Sequence, residues 1–249
     1  MIAEVLPWQW AVAGGGAFLI GLAKGGLPGV GNLSILLFAW AFGAKPSVGL
    51  LLPVLIGADT AAIVIYRRSV EWAVLWKLWP WMAVGVVIGT FTFDLLSSDA
   101  LERVIGGIIL AMTGLQILRT RRPKVAARLA PQNRVFAGTL GIIGGIATML
   151  ANAAGPIGQL FLLSANLPKL AFIGTAAWLF FLINLFKVPF QASLGILNFE
   201  SLQVSGALMP AAVGGALLAP RLLRHINERL FVQLVWVFVV VAGVKLLIF

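Results

Sequence analysis

The sequence predicts an all-α polytopic membrane protein made of two repeats of about five membrane segments each. Three observations predict it: an apolar composition, a Gly/Pro-broken segment that occurs twice, and one strongly basic loop. Hydrophobic residues make up 61% of the 249-residue chain and charged residues only 10%. Because a soluble domain carries about a quarter charged residues, this chain has too little polar surface to face water. Most of it is therefore expected to lie in a bilayer.

The broken segment begins each half of the chain. The first runs from Gly21 to Asn32 and the second from Gly141 to Pro156, and Gly31 and Gly155 are 124 residues apart. Further pairs follow at similar separations: Lys45 and Lys169 (124), Glu102 and Glu228 (126), and Gly85 and Gly215 (130). Gly/Pro-broken apolar segments at corresponding positions of two halves indicate the binding site of a transporter. The repeat therefore predicts a solute carrier.

Ten apolar segments can be read, five in each half. They are Trp8–Ala23, Gly29–Phe42, Val48–Tyr66, Trp72–Leu96, Leu101–Leu118, Val135–Leu150, Gly155–Ala165, Leu170–Phe190, Leu202–Leu222 and Leu230–Phe249. A perpendicular span needs about 20 residues, so the first two segments of each half are short. We expect them to be half-membrane helices that meet at a break; as an alternative, each pair forms one broken span. The predicted division is a first repeat (1–118), a basic linker (119–134) and a second repeat (135–249).

The basic linker predicts the orientation. It contains six basic residues: Arg119, Arg121, Arg122, Lys124, Arg128 and Arg134. Basic residues concentrate in cytoplasmic loops, which places the linker inside the cell and the loop 191–200, which has no Lys or Arg, outside. An odd number of segments per half then turns the second repeat upside down relative to the first. We expect a multi-pass protein of the cell membrane, most simply the bacterial inner membrane.

Other function classes find little support in the sequence. No cysteine is present, so thiolate metal sites and redox couples are excluded. The glycine-rich stretches lack the Gly-Lys-Ser/Thr ending of a phosphate-binding loop, and no carboxylate dyad or hydrolase elbow is found. We therefore expect no enzyme, no catalytic residue, no metal and no cofactor.

Lys24 is the first candidate for substrate binding. It lies among the glycines of the first break, where successive backbone N–H groups can form an anion-binding nest and where a helix N-terminus adds partial positive charge. The alternative is that Lys24 lies at a segment end and extends its ammonium group to the interface.

Several uncharged polar residues lie close to the two breaks: Asn32, Ser34, Thr148, Asn152 and Gln159. They can bind a substrate by hydrogen bonds, or they can cap helix ends and bond to backbone groups freed by proline. Asn184 lies midway along its segment, where no helix terminus needs a cap. It either binds the substrate or joins two helices by a hydrogen bond.

Asp59 is the one carboxylate far inside an apolar segment. Intramembrane ionisable residues are costly and mark functional sites. Three roles are open: proton carrier, ion-pair partner of Lys24 or Lys187, or hydrogen-bonded structural acid. Lys187 lies near the end of its segment, and we expect it to extend to the interface.

These residues resemble a known family. In the second half, Gly144-Gly145 precedes Gly155-Pro156, Leu167-Pro168-Lys169, Phe172, Gly174-Thr175 and Asn184-Leu185, and this set resembles the sulfite exporter TauE/SafE family of membrane transporters. The motif Gly21-x-x-Lys24-Gly25 is similar to the first repeat of that family. The resemblance covers nearly the whole chain. It implies a secondary transporter of small sulfur-containing anions such as sulfite, sulfoacetate or other organosulfonates.

We therefore expect alternating access around a site between the two breaks. The residues expected to bind the substrate are Lys24, Gly29, Gly31, Asn32, Ser34, Asn152, Gly155, Gln159 and Asn184, and Asp59 is the expected ion-coupling residue. The expected partners are the small anion, the lipid bilayer, a coupling proton or sodium ion and a second copy of the chain in a homodimer; nucleic acid is not expected. The alternatives are a channel-like anion pore and a carrier of a non-sulfur anion.

Overall fold

The structure is a computed structural model that describes residues 5–27, 30–66, 69–122, 134–165 and 167–222, with isolated helical positions at 233, 237, 240, 241 and 244. The continuous described segments form nine α-helices and no strand. The helices are α1 (Pro7–Lys24), α2 (Gly31–Phe42), α3 (Ala44–Tyr66), α4 (Trp72–Leu95), α5 (Ser98–Arg121), α6 (Arg134–Ala151), α7 (Gly155–Ser164), α8 (Lys169–Ser193) and α9 (Phe199–Leu222). Most of the predicted linker and of the tenth apolar segment lies outside the described residues.

Five of these helices are long and apolar enough to cross a membrane: α3, α4, α6, α8 and α9. The prediction of an all-helical, multi-pass membrane protein is therefore confirmed. The first two helices of each half are the shortest: α1 and α6 each have 18 residues, α2 has 12 and α7 has 10, which at 1.5 Å per residue is about 27, 18 and 15 Å.

The first two helices of each half form antiparallel hairpins. At the open end of the first hairpin, the rings of Trp8 and Trp40 lie 5.3 Å apart, and the Gln9 side-chain amide donates to the carbonyl of Ala41 at 2.6 Å. In the second hairpin, Leu160 of α7 packs on Leu140 of α6. The alternative in which each pair forms a single broken span is wrong, because the chain reverses direction at each break.

A residue with positive φ allows each reversal. Gly26 has φ 125° at the tip between α1 and α2, and Asn152 has φ 53° after α6. Glycine adopts this conformation without strain, and asparagine tolerates it better than most other residues. Pro156 follows at the second position of α7, where the missing N–H removes no intrahelical bond. The same residue types that break the apolar pattern in the sequence therefore form the hairpin tips.

Glycines let helices of the two halves pack closely. A Cβ atom built on Gly21 of α1 would lie 2.8 Å from the Cα of Gly215 in α9, and one built on Gly145 of α6 would lie 2.7 Å from the Cα of Gly85 in α4. In each pair the two helices run in the same direction, because one turn further along Gly25 contacts Ala219 in the first pair and Gly89 contacts Met149 in the second. The first helix of each half thus packs on the fourth helix of the other half.

These contacts assign the helix ends to two faces. The basic face is defined by Tyr66, Trp72, Arg121, Arg134, Lys169 and Leu222. The opposite face is defined by Pro7, Phe42, Ala44, Leu95, Ser98, Ser193 and Phe199. Short connections join α3 to α4 and α8 to α9, and a hydrogen bond of 2.9 Å from the Glu71 N–H to Thr175 Oγ1 joins the first of these connections to the start of α8.

Helices α3 and α8 form the antiparallel centre of the molecule. A Cβ atom on Gly49 would lie 2.1 Å from the carbonyl oxygen of Ile196 near the opposite face, and one on Gly174 would lie 2.4 Å from that of Ser69 near the basic face. The hairpin tips and α9 surround this pair. The central pair therefore carries polar side chains into the middle of an apolar bundle.

Candidate functional site

One cavity of about 950 Å³ lies between the two hairpin tips. Its polar wall consists of Lys24, Asn32, Tyr66, Thr148, Asn152, Gln159 and Asn184. The cavity extends to the basic face, where Tyr66, Leu167, Leu170 and Pro220 line it. Toward the opposite face, its α3 lining begins at Leu51 and its α8 lining ends at Asn184. The described residues thus form a cleft that reaches one face only.

Two helix N-termini border this cavity. Helix α2 begins at Gly31 and helix α7 at Gly155, and both glycines line the cavity. The first turn of a helix leaves N–H groups without intrahelical acceptors, and the helix dipole adds partial positive charge there. A Cβ atom on Gly155 would meet nothing within 4 Å, so this backbone is open to the cavity. The arrangement favours an anion.

Lys24 and Asp59 form an ion pair at the cavity wall. Lys24 Nζ lies 2.7 Å from Asp59 Oδ1, with the carboxylate side chain fully buried and the lysine side chain 17% exposed. The ammonium group also lies 4.5 Å above the ring of Phe180, a favourable cation–π geometry. Among the three roles open for Asp59, the structure shows an ion pair with Lys24; the ion-coupling role stays a prediction.

Asn184 connects this pair to the second lysine. Its Nδ2 donates to Asp59 Oδ2 at 2.8 Å, and its Oδ1 accepts from Lys187 Nζ at 3.4 Å. Asp59 and Asn184 are 125 residues apart, close to the separation at which the repeat recurs. A continuous polar chain therefore runs from Lys24 to Lys187 through the centre of the bundle.

The expectation that Lys187 extends to the interface is wrong. Helix α8 continues to Ser193, beyond the predicted end at Phe190, and Lys187 is fully buried. Its ammonium donates to Thr148 Oγ1 at 3.3 Å and to Asn152 Oδ1 at 2.5 Å, as well as to Asn184. The spacing from Asn184 (i, i+3) was the signal in the sequence, because residues three apart share a helix face.

Asn152 closes the cavity toward the opposite face. Its Oδ1 accepts from Lys187, and its Nδ2 donates to the carbonyl of Val48 in α3 at 3.1 Å. Asn152, at the tip of the second hairpin, is therefore hydrogen-bonded to both central helices, α3 and α8. Beyond it, Gly49 of α3 directly contacts Ile196, in the connection between α8 and α9.

Not all of the nine residues predicted to bind substrate line the cavity. Seven line the cavity: Lys24, Gly31, Asn32, Asn152, Gly155, Gln159 and Asn184. Asn32 donates to Thr113 Oγ1 at 3.0 Å, and Gln159 Oε1 is buried without a hydrogen-bond partner in the described part of the chain. Ser34 is buried outside the cavity lining. Gly29 lies outside the described residues.

A metal site is not formed by this set. Within the described residues, no three His, Cys, Asp or Glu side chains lie close enough together to hold a metal ion. The polar wall instead offers ammonium, amide and hydroxyl groups, which suit a small anion with several acceptor oxygens.

A comparison with protein families agrees with this chemistry. The family model described as sulfite exporter TauE/SafE matches residues 13–246. No curated protein and no solved structure matches the chain significantly. Because the family model covers most of the chain, including every residue that lines the cavity, the chain belongs to the TauE/SafE family of membrane transporters.

Proposed function

We propose that the chain is a secondary transporter that carries a small sulfur-containing anion, such as sulfite, sulfoacetate or another organosulfonate, across the bacterial inner membrane. The observation that carries the proposal is the cavity, in which Lys24 and the N-termini of α2 and α7 face one space. Family membership supports a sulfur-containing anion. A sulfur oxyanion presents several acceptor oxygens, and the ammonium group of Lys24 and the N–H groups at the two helix N-termini are hydrogen-bond donors.

We also propose that the two halves are inverted repeats. Corresponding helices run in opposite directions: α3 runs from the opposite face to the basic face, and α8 runs back. The first hairpin enters from the opposite face and the second from the basic face. The repeat-related contacts Gly21–Gly215 and Gly85–Gly145 support this arrangement. With the basic face in the cytoplasm, as positively charged loops favour, the cavity is accessible from inside the cell.

We propose that the second hairpin provides alternating access. In the state described here, Asn152 bonds to Val48 and Lys187 and closes the cavity toward the opposite face. Release of these bonds, with closure at the basic face, would expose the same site to the other side. The substrate then crosses the membrane without a continuous pore.

Reconstituted protein tests the proposal. Proteoliposomes loaded with unlabelled sulfite should accumulate labelled sulfite by counterflow, and the initial rate should saturate. Flux that rises linearly with concentration, without counterflow, would indicate the channel-like alternative. Counterflow with acetate or another carboxylate, and none with sulfite or sulfonates, would indicate a carrier of a non-sulfur anion and would refute the proposed substrate class.

A further inference from the structure

The buried polar chain contains two cations and one anion. Asp59 and Lys187 are fully buried, and Lys24 is mostly so. Lys24 lies 2.7 Å from the carboxylate, so these two charges neutralise each other. The ammonium of Lys187 contacts only neutral oxygens, those of Thr148, Asn152 and Asn184. With both lysines protonated, the cluster as a whole carries one uncompensated positive charge.

Among the described residues, no other carboxylate lies beside Lys187. Asp59 is the only buried carboxylate in the described part of the chain. Helix α8 packs on α3, α4 and α7. Besides Asp59, α3 carries Lys45 in its first turn, α4 carries the exposed Lys77 and Asp94, and α7 carries no charged residue. Helix α6, which meets Lys187 through Thr148, carries only Arg134, at its start on the basic face.

The position of Lys187 relative to the cavity gives this charge a role. Its three acceptors, Thr148, Asn152 and Asn184, all line the cavity, while Lys187 itself does not. The charge therefore lies directly behind the polar wall. An isolated buried charge costs several kcal/mol unless a counter-ion is near. In a low-dielectric interior, an anion in the cavity would provide that counter-ion.

We propose that Lys187 is the residue that selects for negative charge, because it supplies the net positive charge of the site. Lys24 offers N–H donors at the wall, but its charge is already balanced by Asp59. This inference rests on the proposed function, and it identifies which of the two lysines attracts the substrate. It predicts that the affinity for the anion changes with the summed charge of Lys24, Asp59 and Lys187.

A charge series in the purified protein tests the proposal. The variants are Lys24→Gln, Lys187→Gln, Lys24→Gln/Asp59→Asn and Lys187→Gln/Asp59→Asn; glutamine keeps an N–H donor and removes the charge. Lys45→Gln, at the opposite face, is the matched control. Affinity for sulfite is measured by calorimetric titration, with nitrate and acetate as additional probes, and size-exclusion chromatography reports folding.

We expect Lys187→Gln to weaken anion binding at least about tenfold, because it removes a unit charge that lies behind the wall in a low-dielectric interior; tenfold in affinity corresponds to about 1.4 kcal/mol. Lys24→Gln should also weaken anion binding, because the negative charge of Asp59 is then no longer neutralised by Lys24. Addition of Asp59→Asn should restore binding to near the wild-type value in the Lys24 variant and partly restore it in the Lys187 variant. A purely structural role for Lys187 would give no such rescue.

Three results would overturn the proposal. They are wild-type affinity in folded Lys187→Gln, a Lys24→Gln/Asp59→Asn double variant as weak as Lys24→Gln, or no recovery in folded Lys187→Gln/Asp59→Asn. If Lys187→Gln does not fold, the comparison of the Lys24 variant with its double variant decides. Wild-type protein that binds nitrate but not sulfite would refute the proposed substrate class, and the series is then measured with nitrate. Wild-type protein that binds no probe overturns both proposals.

Discussion

The close crossing of α4 and α6 predicts a large effect from one added methyl group. In Gly85→Ala, the new Cβ atom would lie 2.2 Å from the carbonyl oxygen of Ile142 and 2.8 Å from the Cα of Gly145. Real Cβ contacts essentially never fall below 3.0 Å, and both neighbours are backbone atoms, so the two helices would have to separate. Separation would open a gap along a tightly packed interface.

The magnitude follows from two opposing effects. Overpacking a well-packed interior costs about 1–3 kcal/mol, and helix separation places Gly85→Ala at the upper end of that range. Replacement of glycine by alanine in a helix otherwise gains about 0.5–1 kcal/mol. We expect a net loss of about 2 kcal/mol of unfolding free energy, with the repeat-related Gly215→Ala affected similarly, because its Cβ would lie 2.3 Å from the carbonyl oxygen of Phe18.

The assay is reversible unfolding in detergent, followed by circular dichroism over a denaturant series. The control is Gly206→Ala, which lies in α9 and has nothing within 4 Å of its Cβ position. This control should be as stable as wild type or more stable. Equal stability of Gly85→Ala and Gly206→Ala would refute the reasoning, since the close crossing would then contribute nothing measurable.

Three further predictions concern topology, coupling and gating. In this cysteine-free chain, Arg121→Cys and Ser193→Cys should react with an impermeant maleimide from opposite sides of the membrane; labelling of both from one side would contradict the assigned faces. If Asp59 carries the coupling proton, Asp59→Asn should abolish uptake driven by a pH gradient and leave substrate exchange, and unchanged gradient-driven uptake would exclude that role. Asn152→Ala removes two hydrogen bonds, about 1 kcal/mol each, so labelling of Ser47→Cys from the opposite face should rise by up to about 30-fold; no rise would contradict the closure by Asn152.

Much of the fold could be predicted from the sequence because apolar composition and turn residues act locally. The two Gly/Pro breaks predicted both hairpin tips, and their separation also related Gly21 to Gly145. The direction of the chain after each break could not be predicted. A reversal and a broken span use the same residues, and the packing of Trp8 on Trp40, which joins distant positions, distinguishes them.

The site was predictable as a set of residues but not as a network. Polar side chains within apolar segments are conspicuous, and seven of the nine predicted binding residues line one cavity. The partner of Asp59 depended on how α1 packs against α3, which no local pattern determines. Lys187 was misplaced because a lysine near a segment end can extend to water, and the true helix end lies only a few residues further on.

Because α1 packs on α9 of the other half, this packing cannot form until late in synthesis. Gly215, which packs against Gly21, is synthesised 194 residues later, and at about 5–20 residues per second the delay is about 10 to 40 s. During that interval the first hairpin is in the membrane without its final neighbour. Asp59 follows Lys24 after only 35 residues, so the lysine can be neutralised long before α9 is made. Early pairing of Asp59 with Lys24 would prevent the first hairpin from exposing an unpaired ammonium group to lipid before α9 is made.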